Sequence, residues 1–279
     1  MKKIFFPLLL GLVFFSCRKD DVTPNYAKLY GIEDYNEAKD ELKIYANYGV
    51  YTDGVARIAI EKEPNKSTSI GELFAKYRSV PDAERTDGGQ YSIGGYKLNF
   101  VPDGFYLLEG NTLNNSYDLA TELSDDFGKE VDFSLTRDGS KIFDESIYIP
   151  LPIEISEFSN TGLIDLTNYY GLSRNGFEIN WNIDPNNSNG ILVVLTWSGT
   201  KLNTPLDELG NTDYYYKAAW LQDTGSGIMP SSFFEDVPKD AVFIIEFIRA
   251  NIVLIEGTDD RSYKIYGISQ DTKQCALID

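Results

Sequence analysis

The chain has 279 residues, of which 43 are acidic and 25 are basic, and its formal net charge at pH 7 is −18. So acidic a protein should be repelled by nucleic acid, and we expect no nucleic-acid partner. The sequence contains no histidine, which excludes hydrolase triads built on imidazole and metal or haem centres that need histidine ligands. Hydrophobic residues form 42% of the chain, which is enough to build a packed core. We expect no cofactor.

The N-terminus has the layout of a cleaved signal. Lys2 and Lys3 precede an apolar run of about twelve residues, whereas a transmembrane helix needs about twenty. The run ends at Ser16-Cys17. We therefore predict a signal peptide over residues 1–17 rather than a permanent membrane span.

The residues at this junction resemble those of lipid-anchored surface proteins. Phe14-Phe15-Ser16-Cys17 resembles the lipobox of bacterial lipoproteins, in which a small residue precedes the cysteine that becomes the acylated N-terminus. Lys19-Asp20-Asp21 is similar to the export signal of surface lipoproteins of the Bacteroidota. The resemblance implies that Cys17 is acylated and anchors the protein to the outer membrane, facing the cell exterior. The alternatives are a plain secretory signal, in which Cys17 is incidental, and a charged tether without an export role.

Beyond the signal, the hydrophobic pattern divides the chain into three parts. Residues 18–36 are polar and lack a sustained period, which predicts a tether. Residues 37–146 are predicted to form a β-rich N-terminal domain, and residues 147–279 a β-sandwich domain. The junction falls near Pro150-Leu151-Pro152.

Short alternating segments define the N-terminal domain. Strands are predicted at residues 42–48, 55–60, 91–93, 96–101 and 105–108, and a hairpin at 131–147 turns at Asp138-Gly139. A helical turn is predicted at 36–41 and a helix at 115–126. Residues 71–77 fit a short helix and a strand equally well.

Strand signals are denser in the second domain. They cover residues 147–155, 162–166, 177–182, 191–198, 214–221, 241–248, 252–255 and 263–268. Many short strands separated by Gly, Asn, Asp and Pro turns are typical of an antiparallel β-sandwich. We therefore predict an all-β fold of two domains, the second similar to immunoglobulin-like or fibronectin-like modules.

Alternation also assigns core positions in this domain. Phe177, Ile179 and Trp181 share one strand face, which predicts a structural role for Trp181. Cys275 lies in an apolar-leaning terminal segment and is predicted to be a buried structural thiol. If Cys17 is acylated, no intramolecular disulfide can form, because the sequence has two cysteines.

A loop at residues 184–190 carries oxygen donors at Asp184, Asn186 and Asn189. This spacing suggests calcium, but Asn189 stands where an EF-hand needs glycine and Leu195 where it needs the closing glutamate. We predict a hairpin turn, with a calcium loop of another kind as the alternative and no other metal site.

Aromatic residues alternate along the strand predicted at 214–221. Tyr214, Tyr216 and Trp220 fall on one strand face. Exposed together, they would form a platform on which sugar rings stack. The alternative is that this face lines the sandwich core.

Carboxylate chemistry is the enzymatic route that remains. A glycoside hydrolase needs two carboxylates about 5–10 Å apart. Glu246 is the catalytic candidate, because an acid in an apolar strand can have a raised pKa. Asp165 is a candidate for the same reason. For both residues, the alternative is a structural acid that forms a salt bridge or lies at a strand edge.

Three functions follow from these features. The leading hypothesis is a non-enzymatic surface lipoprotein that binds a glycan or an outer-membrane protein partner, by analogy with the lipoproteins that its export signal resembles. The competing hypothesis is a carboxylate-dependent glycoside hydrolase. The third is a passive structural component of an envelope assembly.

Overall fold

The computed structural model describes residues 52–64, 66–78, 85–101, 104–108, 115–158, 162–164, 169–197, 215–235 and 237–278. The predicted signal peptide, the tether and the strand at 42–48 lie outside the described residues. So do Cys17, Lys19, Asp20, Asp21, Asp165 and Tyr214.

The described chain is composed almost entirely of strands. In chain order they are β1 Gly54–Lys62, β2 Ser69–Tyr77, β3 Gln90–Ile93, β4 Tyr96–Val101, β5 Phe105–Leu108, β6 Asn115–Ser116, β7 Lys129–Arg137, β8 Ser140–Ile149, β9 Ile155–Phe158, β10 Gly162–Ile164, β11 Tyr169–Ser173, β12 Gly176–Trp181, β13 Ile191–Trp197, β14 Tyr215–Leu221, β15 Ser226–Pro230, β16 Val242–Glu256 and β17 Ser262–Ile278. Helix α1 spans Tyr117–Leu123, and 3-10 helices span Ser124–Asp126 and Ser231–Phe234. The predicted all-β fold is confirmed.

The strands form three sheets. The nine-stranded sheet has the order β14-β13-β16-β17-β1-β2-β6, with β11 also paired to β17 and β10 paired to β11. A five-stranded sheet has the order β5-β4-β3-β7-β8, and a three-stranded sheet has the order β15-β12-β9. The longest strand is β17, whose 17 residues extend over roughly 55 Å.

Strand β17 links the two ends of the nine-stranded sheet. One of its edges pairs with β16 along its length, antiparallel. Its other edge pairs in parallel first with β1 and then with β11, two parallel pairings that the hydrophobic pattern does not predict. The sheet thus contains strands from both sides of residue 147, and the division into two domains stays a prediction.

Two cores lie against one face of this long sheet. In the first, Tyr263 and Ile265 of β17 pack with side chains of the five-stranded sheet such as Phe133. In the second, Phe247 and Cys275 pack with side chains of the three-stranded sheet, including Phe177, Ile179 and Trp181. A third apolar cluster lies on the opposite face of the nine-stranded sheet.

Several local predictions are refined by the tertiary structure. Residues 71–77 belong to strand β2, because pairing with β1 fixes their conformation. The helix predicted at 115–126 is divided into α1, capped by Ser116 Oγ accepting from Leu119 N at 3.0 Å, and the 3-10 turn that follows it. The strand predicted at 147–155 is interrupted between Ile149 and Ile155, where Pro150 and Pro152 lack the N–H that a ladder needs.

The described part of the chain holds no helix with the length and hydropathy that a bilayer-spanning segment requires.

Candidate functional site

A polar cleft of about 530 Å³ opens at one end of the five-stranded sheet. Its walls come from the loop before β3, from β3 and β4, and from the turn between β7 and β8. The lining residues are Asp87, Gly89, Gln90, Asn99, Phe100, Thr136, Asp138 and Gly139.

The pleat of the five-stranded sheet brings three polar side chains together at this cleft. Gln90 of β3 is opposite Thr136 of β7 in the strand register, and its Nε2 donates to Asn99 Oδ1 at 3.1 Å. The neighbouring residues Tyr91 and Leu98 are fully buried in the first core. Because successive side chains alternate between faces, the polar trio lies on the outward face of the sheet.

A buried tyrosine holds the loop that carries Asp87. The hydroxyl of Tyr106 accepts from Gly88 N at 2.7 Å and donates to Asp87 Oδ1 at 3.4 Å. Arg137 Nε also donates to Gly88 O, at 2.7 Å. Burial is the main cause that raises the pKa of Tyr106, so its hydroxyl stays protonated and the loop stays fastened.

The backbone of the same loop turns at a glycine that no other residue can replace without strain. Gly89 has φ +115°, and a Cβ there would lie 2.3 Å from Thr136 O. Its N–H donates to Asp87 Oδ1 at 2.9 Å. The opposite wall is the hairpin turn at Asp138-Gly139, where φ is 52° and 76°, as the predicted hairpin requires.

Phe100 of β4 also lines the cleft, but the alternation of the strand places its side chain on the face opposite Asn99, where it packs against the first core. Phe100 is half-buried and lies edge-to-face against Tyr106, with ring centroids 5.3 Å apart. The cleft therefore combines carboxylates, amides and a hydroxyl. This set can hydrogen-bond a polyhydroxylated ligand.

Among the residues of the predicted aromatic platform, Trp220 has a described side chain, and it does not line this cleft. Tyr214 is outside the described residues, and for Tyr216 the structure describes the backbone in β14 but not the side chain. Trp220 is half-buried and packs against the third apolar cluster. A Cβ on Gly190 would lie 2.6 Å from its Nε1, so Trp220 lies close over that glycine.

Glu246 lies on β16, on the sheet face opposite the second core, and is half-buried. Gln270 Nε2 donates to its Oε1 at 2.8 Å. Burial raises the pKa of Glu246, the hydrogen bond from Gln270 lowers it, and the negative charge of Glu61 raises it further. Glu61 is the neighbouring carboxylate that sequence reasoning could not pair with Glu246.

The loop at 184–190 is tied to the protein by its own oxygen atoms. Asp184 accepts from Tyr148 OH and Leu151 N, both at 2.8 Å, and from Asn186 N at 3.0 Å. Asn189 Nδ2 donates to Ala250 O at 3.4 Å. Asp184 is thus occupied by protein donors, as expected for a structural turn. In the described part of the chain, no three acidic or cysteine side chains are grouped so as to hold a metal ion.

Sequence reasoning did not single out the cleft. Asn99 and Thr136 are outward positions of predicted strands, Gln90 directly precedes the strand predicted at 91–93, and Asp138 was assigned only to a turn. The available signal was the polar alternation of β3 and β4, since Gln90 and Asn99 flank the buried Tyr91 and Leu98. The strand register that brings them together spans about 45 residues of sequence and has no local signature.

Comparison with protein families and with curated proteins gives no functional assignment. No protein-family model matches the chain, and no curated protein matches it.

Proposed function

We propose that the protein is a cell-surface lipoprotein that binds a glycan in the cleft at the end of the five-stranded sheet. The observation that carries this proposal is the convergence of Gln90, Asn99 and Thr136 in one cleft that Asp87 and Asp138 also line. Pockets for small polar ligands commonly rely on a few directed polar groups that fix the orientation of the ligand. The proposed ligand is still a glycan, as in the leading hypothesis from the sequence. The proposed site is now the cleft instead of the strand predicted at 214–221.

Binding by a rigid cleft is supported by how its walls are held. The Asp87 loop is fastened by Tyr106 and Arg137, and the Gln90 amide is oriented by Asn99. Groups that are already oriented lose little conformational freedom when a ligand arrives. Such a site suits recognition of a sugar without chemistry on it.

A glycan array with the full-length protein in detergent tests this proposal. Replacing Gln90 and Asn99 together with alanine removes two hydrogen-bonding side chains from the outward face and should weaken retention about tenfold or more. Ser92→Ala is the matched control, because Ser92 lies on the same face of β3 but outside the cleft. Equal retention by the double variant and the parent would contradict the proposed site.

Glycan hydrolysis is the second candidate function, because Asp87 and Asp138 both line the cleft. Glu246, with Glu61 beside it, is the alternative carboxylate pair. Mass spectrometry of the glycan after incubation distinguishes the candidates. Cleavage that is lost in Asp138→Asn would favour the cleft as an active site, and cleavage lost in Glu246→Gln would favour the other pair.

The membrane address is part of the same proposal and has its own test. Cys17→Ala should leave a precursor that no longer partitions into the detergent phase. Alanine at Lys19, Asp20 and Asp21 should protect the protein from protease added to intact cells. Equal partitioning of the parent and Cys17→Ala would contradict the lipid anchor. Equal protease sensitivity of the parent and the triple alanine variant would contradict the export signal. If the protein neither retains nor cleaves any glycan, the result would instead favour a protein partner or a passive role in an envelope assembly.

A further inference from the structure

The cleft at the end of the five-stranded sheet has two acidic walls and no basic one. Asp87 and Asp138 line it, and none of its eight lining residues is a lysine or an arginine. Its volume of about 530 Å³ falls within the range of small-molecule sites, roughly 300–1,000 Å³. The cleft therefore has room for a ligand, and its charge favours a ligand that is positive.

The protein leaves both carboxylates of the cleft available. In the part of the chain that the structure describes, no basic side chain forms an ion pair with Asp87 or with Asp138. Asp87 Oδ1 accepts from Gly89 N at 2.9 Å, whereas its Oδ2 accepts from no described residue. Asp138 is exposed at the turn between β7 and β8. A ligand cation would thus meet two carboxylates that have no competing counter-ion.

The basic side chains of the neighbouring strands do not neutralise the cleft. Arg137 Nη1 lies 2.9 Å from Asp259 Oδ2, in an ion pair behind the Asp87 loop. Lys141 forms an ion pair with Asp144. Lys97 is on the outward face of β4 but does not line the cleft. Any positive charge inside the cleft has to come from the ligand.

The polar groups of the cleft are oriented before a ligand arrives. The fully buried Tyr106 donates to Asp87 Oδ1 at 3.4 Å, which holds that carboxylate at the wall. Gln90 Nε2 donates to Asn99 Oδ1 at 3.1 Å, so Gln90 Oε1 remains an acceptor and Asn99 Nδ2 a donor for ligand hydroxyls. A ligand that carries both an ammonium group and hydroxyls would satisfy the carboxylates and the amides together.

We propose that the cleft selects an amino sugar whose nitrogen is not acetylated, with its ammonium group held by Asp87 and Asp138 and its hydroxyls by Gln90 and Asn99. This inference rests on the proposed glycan-binding function and names the class of glycan. Hydrogen bonds from an ammonium group to a carboxylate are roughly twice as strong as neutral ones. An N-acetylated sugar has lost both the positive charge and most of the N–H donors, so it should bind less tightly.

Calorimetric titration of the full-length protein in detergent tests the proposal with two probes. One is a short β-linked glucosamine oligomer, and the other is the same oligomer with every nitrogen acetylated. At mildly acidic pH the amine is protonated, and ordinary aspartates, with a pKa of about 3.9, are ionised. The parent should bind the free amine about tenfold more tightly than the acetylated form. Asp138→Asn should lower this ratio to about threefold, because one of two carboxylates is lost.

Asp132→Asn is the matched control. Asp132 is exposed on β7, on the same outward face as Thr136, but does not line the cleft. Its replacement removes the same charge and should leave the ratio at about tenfold. The control is needed because a protein of net charge −18 attracts cations over its whole surface. An equal fall of the ratio in the two variants would reveal such general attraction and overturn the proposal.

Three further results would overturn the proposal. Equal affinity of the parent for the two probes would remove the selection for an amine, while retention of other glycans through Gln90 and Asn99 would leave the proposed function standing. Loss of glucosamine binding on addition of a chelator would mean that a metal ion, rather than an ammonium group, meets the carboxylates. Equally tight binding of a short oligolysine, with the same response to Asp138→Asn, would mean that the cleft recognises ammonium groups without regard to the sugar.

Discussion

The guanidinium of Arg249 and the carboxylate of Asp223 form a buried two-point ion pair. Arg249 Nε lies 2.8 Å from Asp223 Oδ2, and Nη2 donates to Oδ1 at 2.9 Å, with the two side chains 0% and 2% exposed. Trp181 Nε1 and Asn187 Nδ2 donate to the same carboxylate, at 2.9 and 2.8 Å. Arg249 Nη1 in turn donates to Leu151 O at 2.9 Å. The ion pair therefore connects three segments: the Pro150-Leu151-Pro152 link between the two cores, strand β12 through Trp181, and strand β16 through Arg249.

Asp223→Asn should strongly destabilise the protein, because it leaves the Arg249 charge buried without its counter-ion. We expect a loss of roughly 3–5 kcal/mol in the free energy of unfolding, measured by urea denaturation. Asp144→Asn is the control, since Asp144 pairs with Lys141 on the surface and should cost less than about 1 kcal/mol. Similar losses for the two variants would show that the buried pair has no special role.

Gly89→Ala should cost more than an equivalent change at a glycine with open space around it. Its backbone conformation is unfavourable for alanine and its Cβ would collide with Thr136 O, so we expect a loss of roughly 3–4 kcal/mol. Gly139 also has positive φ, at +76°, but a Cβ added there would have no atom within 4 Å. Gly139→Ala should therefore cost only about 1–2 kcal/mol. Thermal denaturation of both variants tests the difference, and equal costs would contradict it.

Glu246→Gln should stabilise the protein near neutral pH. The pKa of Glu246 is raised in the folded state, so its charged form is less favourable there than in the unfolded chain. This cost is absent below the ordinary glutamate pKa, about 4.3, grows as the pH rises from there to the raised folded pKa, and is fully present above it. The melting temperature of Glu246→Gln should thus exceed that of the parent at pH 7, and the difference should close on acidification.

A surface control separates this effect from the loss of one negative charge. Glu130 is exposed on β7, and Glu130→Gln should change the free energy of unfolding by less than about 0.5 kcal/mol. A Glu246→Gln advantage that is the same at acidic and neutral pH would contradict the proposed cause.

Cys275 should be inert in the folded protein. Its side chain is fully buried in the second core, and burial raises the pKa of its thiol, which suppresses the reactive thiolate. Peptide-resolved alkylation should label Cys275 only when the protein unfolds, at a rate that rises with denaturant. Rapid labelling of Cys275 under native conditions would contradict this expectation.

The cleft should select glycans by charge. Asp87 and Asp138 line it, and the protein is strongly acidic, so sulfated sugars and uronic acids should bind about tenfold or more weakly than neutral ones. Raising the salt concentration should narrow this difference by screening. Equal affinity for neutral and acidic glycans at low salt would contradict the site.

The sequence was informative where a local pattern decides the structure. Alternation identified β12 and β13 and assigned Phe177 and Trp181 to the core, because one face of each strand is buried. The Asp138-Gly139 turn was recognised because few residues tolerate its backbone. These features depend on neighbours within a few positions, which a single sequence displays.

Long-range pairing decided what the sequence could not show. Residues 71–77 were ambiguous because their strand conformation is set by β1 rather than by their own propensity. The segments at 241–248 and 252–255 proved to be parts of the single strand β16, since Arg249 is buried by partners distant in sequence. The cleft likewise depends on register between strands. Local periodicity predicts neither the ion pair of Arg249 with Asp223 nor the pairing of Gln90 with Thr136.

The position of β17 determines the order in which the fold can be completed. Asp53 accepts a hydrogen bond from Ser262 N across 209 residues of sequence, and β1 has β17 as its parallel partner. The first core also contains Tyr263 and Ile265 of β17. During synthesis, therefore, the first core stays incomplete until β17 has left the ribosome. Contacts of such high sequence separation form slowly, so the folding of β1 and of the first core has to wait for β17.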